Sequence, residues 1–152
     1  MNELVIWLRA TALSEWVRGD PWVWPALETV HFVGMCLLMG IIGLLDFRLL
    51  GFLKRVPVPA LRQLLPWGIA GFVLNLVSGV LFFVGAPDQY IRNPAFYAKM
   101  IFLVIAGLNA LAFETRWGSR VMEMEEFEVP PASFKVAGVL SIFSWLDRKS
   151  HV

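Results

Sequence analysis

The sequence predicts an all-α protein: a polytopic membrane four-helix bundle with an N-terminal interfacial amphipathic helix, forming one integral membrane domain over residues 1–152. Three observations carry this expectation. The chain is 58% hydrophobic, with a mean hydropathy of +0.66. Its seven Trp and twelve Phe present more aromatic surface than a soluble domain of this length can hide. Apolar stretches alternate with short segments that carry Pro, Gly and charge, the pattern of successive bilayer crossings.

The first element, residues 2–18, places Ile6, Ala10, Leu13 and Val17 on one helical face and Thr11, Glu15 and Arg18 opposite, with Trp7 and Trp16 flanking. That pattern suits a helix lying in the interface. Leu4 to Leu8 is too short for a signal-peptide core and follows no basic residue, so the N-terminus is expected to be retained. After the Gly19-Asp20-Pro21 break, a first span of residues 25–45 is long enough to cross about 30 Å of hydrocarbon. Asp46, Arg48, Lys54 and Arg55 mark its end, and Pro57 and Pro59 forbid a continuous helix into the next element.

The second span covers residues 66–84, with Gly71, Asn75 and Gly79 at four-residue intervals. This small-residue stripe lets another helix approach closely, and Asn75 is expected to bond across the contact. Asn93-Pro94 reads as a cap and first-turn proline opening a third span, residues 94–113. The stretch from Glu114 to Ser133 is polar, holds Glu123, Glu125, Glu126 and Glu128 together with Pro130-Pro131, and is expected in water as a short helix and loop. A fourth span, residues 132–147, reaches crossing length only by recruiting its flanks.

Basic residues near the span ends set the orientation. Arg48, Lys54, Arg55, Arg62, Arg116, Arg120 and Lys135 lie in the first and third loops, against Arg9, Arg18, Arg92, Arg148 and Lys149 on the other side. The larger set is expected inside, which leaves the N-terminus periplasmic in a bacterial inner membrane. The net charge of +1 offers no basic field, so nucleic acid is not an expected partner. One cysteine, Cys36, cannot form an internal disulfide.

Ionisable groups inside hydrocarbon are expensive, so each is a functional-site hypothesis. His31 lies in the first span, three residues after Glu28 and on the same helical face. Lys99 lies in the third span, and both fall in the outer half together with Ser78, Trp24 and Tyr97. Each has a plainer alternative. His31 can be a buried neutral ring tying helices together, and Lys99 can snorkel to the interface. Asp46, Arg48, Glu114 and Arg116 form an inner layer that reads as span-end charges anchoring the bundle. Met35, Cys36 and Met39 follow His31, and Met100 adjoins Lys99. Such soft ligands suit Cu(I), although the same residues at helical spacing are ordinary packing. No phosphate loop, paired-Cys motif or Ser-His-Asp set is present, and His151 sits in the terminal tail.

The strings ETVHFVGMCLLMGIIGLLDFRLLG (Glu28 to Gly51), LPWGIAGF (Leu65 to Phe72) and NPAFYAKMIFLVIAGLNALAF (Asn93 to Phe113) resemble the DUF6644 type of small bacterial inner-membrane protein. That resemblance implies a location and no activity. More remotely, His31 and Lys99 resemble the layout of HemJ-type protoporphyrinogen oxidases and CopD-like copper-resistance membrane domains; in the HemJ type an equivalent His and Lys are implicated in binding haem b. The chain departs from those two types at Glu114, where a histidine is common, and from the DUF6644 type in LDRKSHV from Leu146, where a longer last span ending in a Gly-Arg pair is usual.

The expected function is a redox cofactor, haem b, held in the outer half of the bundle for electron transfer with quinone or a haem-pathway oxidation. His31 is the axial ligand, Lys99 the opposite ligand or a propionate partner, Glu28 the group that orients the imidazole, and Ser78 or Tyr97 a polar contact. Two alternatives stand beside it: a non-catalytic membrane subunit or scaffold, packing against other subunits or a second copy, and a copper-handling protein using His31, Met35 and Met39.

Overall fold

The computed structural model describes residues 3–122 and 131–146, and among these every regular element is helical. In chain order they are α1 (Glu3–Arg9), α2 (Ala12–Gly19), α3 (Val23–Leu50), α4 (Val58–Arg62), α5 (Leu65–Gly85), α6 (Pro87–Ile91), α7 (Pro94–Met122) and α8 (Ala132–Leu146). Among the described residues, three segments are long and apolar enough to cross a membrane: Val23–Leu50, Val58–Gly85 and Pro94–Arg116. The 15 residues of α8 rise only about 22 Å. The expectations for the acidic residues Glu123 to Glu128 and for the tail with His151 fall outside the described residues.

The tightest contact is the crossing of α3 and α5, which rests on two glycines. A Cβ on Gly71 would stand 2.7 Å from the Gly34 carbonyl oxygen and 2.9 Å from the Leu38 backbone nitrogen. A Cβ on Gly34 would meet the Gly71 carbonyl oxygen at 2.9 Å. Helices this close exchange dispersion contacts along their backbones, the main attraction available where lipid removes the hydrophobic drive. The expected role of Asn75 is corrected here. Its Nδ2 donates to the Gly71 carbonyl of its own helix, 3.0 Å away, while packing against Gly34 of α3.

Gly51 ends α3 in the left-handed region, φ 93°, with its N–H returned to the Arg48 and Phe47 carbonyls. A glycine tolerates that conformation without penalty and satisfies the helix end. Arg48, fully buried, donates from Nε to the Val56 carbonyl at 2.9 Å and so fastens the turn that follows. Arg62 on α4 pairs with Glu114 on α7. A short helix, α4, leads into α5 within the second apolar segment, another, α6, joins α5 to α7, and α7 runs on to Met122 instead of ending near Phe113.

Toward the C-terminal end of α3, α8 docks against it through small residues. Gly138 leaves only 3.3 Å between a would-be Cβ and the Asp46 carbonyl oxygen, and the Ser141 hydroxyl donates to the buried Asp46 carboxylate. Asn109 on α7 donates to the Ala137 carbonyl at 3.1 Å, closing the α7–α8 contact.

The N-terminal segment is two helices rather than one over residues 2–18. Thr11 breaks it: its hydroxyl donates to the Leu8 carbonyl at 2.6 Å and accepts from the Ser14 amide at 3.3 Å, ending one helix and capping the next. Val5, Leu8, Ser14 and Val17 are buried, while Ile6 and Leu13 are exposed. Ser14 donates to the Val84 carbonyl at 2.8 Å, Val17 lies against Gly85, and Arg9 pairs with Asp88 on α6.

Candidate functional site

While α3 and α5 cross closely, α7 packs chiefly on α8 and through its ends on α4 and α6. The space between the α3–α5 pair and α7 is an elongated cleft of about 600 Å³. Cofactor and small-molecule sites range over roughly 300–1,000 Å³. Its walls are mostly apolar and aromatic, and three sequence-predicted residues line it: Glu28 and His31 from α3, and Lys99 from α7.

Aromatic rings shape the outer end. The His31 ring packs edge-on against Phe82, centroids 5.7 Å apart, and Phe82 in turn meets Trp24 at 5.0 Å. Phe83 of α5 stacks on Phe96 of α7 at 5.5 Å and 9°, and Tyr90 of α6 packs against both. That stack bridges the cleft between α5 and α7. Gly79 adjoins the imidazole, 4.0 Å separating its would-be Cβ from His31 Cε1, so a larger residue there would intrude on the ring.

Ser78 lies behind the cleft, 1% exposed, and decides the state of the imidazole. Its Oγ is 2.6 Å from the Leu74 carbonyl oxygen, a contact between two oxygens that requires the hydroxyl proton. With that proton spent, Oγ can only accept from His31 Nδ1, 2.8 Å away. Nδ1 therefore carries the hydrogen, and in the neutral ring the lone pair is on Nε2. The orienting role expected of Glu28 falls, at Nδ1, to Ser78. Glu28 is exposed and accepts from Trp24 Nε1 at 3.1 Å.

Tyr97 lies outside the cleft lining, half exposed, and its hydroxyl donates to the Ile91 carbonyl at 3.0 Å. Tyr90 does line the cleft; sequence reasoning missed it because the loop was read without α6. Burial, and then the negative charge of Glu28, push the Tyr90 phenol above its ordinary value of 10.0, so it stays a neutral O–H donor. Asn93 also lines the cleft, although its side chain caps α7 by accepting from the Ala95 amide at 2.9 Å. A capping signal at a helix that opens beside His31 and Lys99 was the available clue. Asn75 joins the wall, and its Oδ1 is buried without a hydrogen-bond partner.

The soft ligands are arranged differently. Met35, Cys36 and Met39 lie outside the lining, with Cys36 and Met39 exposed, while Met100 does line the cleft. Among the described residues no three His, Cys, Asp or Glu side chains gather into a metal-holding group.

The residues present fit a haem better than a bare metal ion. One imidazole with a fixed tautomer and one amine stand on two walls of an apolar slot, and a macrocycle supplies the remaining equatorial ligands itself. Compared with family models, curated proteins and solved structures, the chain matches none.

Proposed function

We propose that the cleft between α3, α5 and α7 binds haem b and that the protein passes electrons between it and a quinone, or uses it in a haem-pathway oxidation. The observation that carries this reading is the Leu74–Ser78–His31 relay, which fixes the hydrogen on Nδ1 and directs ligand chemistry to Nε2. Metal-binding histidines characteristically donate their other ring N–H in this way. Bound haem would supply one-electron chemistry, its potential set by axial ligands and burial. His31 through Nε2 and Lys99, partly buried on the α7 wall, are the residues that would hold the group, Lys99 either at the iron or at a propionate. Phe82, Phe83 and Phe96 exclude water and pack the macrocycle, and Glu28 and Tyr90 hold a polar edge toward the outer surface.

The same reading places the chain in a bacterial inner membrane as a DUF6644-type protein, with α8 completing a four-helix bundle. α1 and α2 lie in the outer interface, supported by outward-facing Ile6, Trp7, Leu13 and Trp16. The excess of basic residues in the first and third loops supports that orientation.

A second reading, a non-catalytic membrane subunit, is favoured by α7, whose spanning window is only 6% buried and offers Ile101, Val104, Leu108 and Leu111 outward. Purification in mild detergent followed by a visible spectrum separates the two. A Soret band that shifts on reduction supports the haem reading, and a colourless protein carrying stoichiometric partner subunits supports the second.

A further inference from the structure

On the far side of Trp24 from the main cleft lies a second, shallower pocket of about 340 Å³, lined by Arg9, Arg18, Asp20, Trp24 and Gln89 over a floor of Val17 and Gly85. Its charges are arranged as a dipole. Arg9 is neutralised by Asp88. Arg18 is held in place by neutral acceptors only: Nε donates to the Ser14 carbonyl at 3.2 Å and Nη2 to the Arg9 carbonyl at 2.9 Å. These bonds fix the guanidinium without cancelling its charge and leave three of its five N–H donors for a ligand. Two residues on, Asp20 accepts the Trp22 amide at 2.8 Å through Oδ1, which leaves Oδ2 and the carboxylate charge. Neither Arg18 nor Asp20 belongs to an ion pair among the described residues.

The segment that supplies Arg9, Arg18 and Asp20 also carries three exposed indoles, Trp7, Trp16 and Trp22, the last 79% exposed. Tryptophan collects at the depth of lipid headgroups. A fixed cation beside a fixed anion at that depth matches a zwitterion. We propose that this pocket binds the phosphoethanolamine headgroup of a membrane lipid, the phosphate on Arg18 and the primary ammonium on Asp20. The assignment rests on the interfacial placement of α1 and α2 and is independent of the cofactor in the main cleft. A phosphocholine headgroup presents the same phosphate and charge but has no N–H to give Asp20, and an anionic phosphoglycerol headgroup brings no cation at all.

Native mass spectrometry of the detergent-purified protein, with phosphatidylethanolamine, phosphatidylcholine or phosphatidylglycerol added in turn, reads the site directly. One tightly retained phosphatidylethanolamine is expected, preferred over the other two by about tenfold, the scale of one charge-assisted hydrogen bond. Asp20→Asn should equalise phosphatidylethanolamine and phosphatidylcholine, and Arg18→Gln should abolish retention of both, while each variant keeps the helical circular dichroism of the parent. Any haem band should survive both substitutions, so loss of the cofactor reading leaves this result standing and the reverse also holds. Equal retention of all three lipids by the unmodified protein, or unchanged retention in Arg18→Gln, overturns the proposal. Competition by soluble O-phosphoethanolamine at the lipid's own concentration would assign the pocket to a free metabolite and overturn it as well.

Discussion

Ser78 holds His31 in a single tautomer. The hydroxyl of Ser78 donates to the Leu74 carbonyl one turn back and accepts the Nδ1 hydrogen of His31 across the α3–α5 contact, at 2.8 Å. A side chain with one proton and two acceptor sites thereby links helix geometry to the chemistry of an imidazole on another helix.

Ser78→Ala removes that acceptor while leaving the small volume of the site. The Nδ1 hydrogen then loses the Ser78 acceptor, a cost of about 1–3 kcal/mol, and the tautomer is no longer fixed by that bond. Cofactor affinity should fall by roughly 10–100-fold, as when other outer partners of ligating histidines are lost. Titration of haem into the purified variant measures this, and an affinity equal to the parent's would show that Ser78 does not orient the ligand.

Gly71→Ala should destabilise the bundle by about 1–3 kcal/mol, the usual penalty for an extra methyl in a packed interior. The new Cβ would press on the Gly34 carbonyl oxygen and the Leu38 nitrogen, backbone atoms that cannot rotate away. Gly40→Ala is the control, since a Cβ there meets nothing within 4 Å. Thermal unfolding in detergent should separate the two, and equal midpoints would contradict the close crossing.

Much of this architecture was legible in the chain, because hydropathy and helix punctuation are local signals. The run from Pro25 to Leu45 announces α3, and Asn93-Pro94 announces the start of α7, where the Asn93 side chain does cap the first turn. Contacts between helices were less legible. The stripe of Gly71, Asn75 and Gly79 pointed to a close approach, and Gly71 and Asn75 both stand against Gly34, yet Asn75 bonds its own helix and Gly79 adjoins His31. The break at Thr11 and the burial of Ser14 were not legible, because a hydroxyl that bonds backbone on both sides leaves no trace in the apolar pattern, while the exposure of Ile6 and Leu13 suits a lipid-facing side. Tyr90 was missed for a topological reason, since α6 folds back over the cleft and no local pattern fixes that turn.

Tyr90 supplies a pH signature. Its neutral form is favoured in the fold by burial and by Glu28, so its phenol should ionise above the ordinary value of 10.0. The associated stability is intact below pH 10.0 and is lost as pH rises through the elevated value, since the unfolded chain releases the proton first. The chain has two tyrosines, so phenolate absorbance in a Tyr97→Phe background follows Tyr90 alone. Glu28→Gln should move the titration back toward the ordinary value, and an unmoved curve would exclude Glu28 as a cause.

The measurement closest to the central claim is chemical rescue at position 31. His31→Gly leaves a hole the size of the imidazole beside Phe82 and Gly79. The account predicts that the purified variant lacks the Soret band of the parent and regains it when haem is supplied together with free imidazole. A Soret band of undiminished intensity in His31→Gly without imidazole would contradict His31 as the ligand.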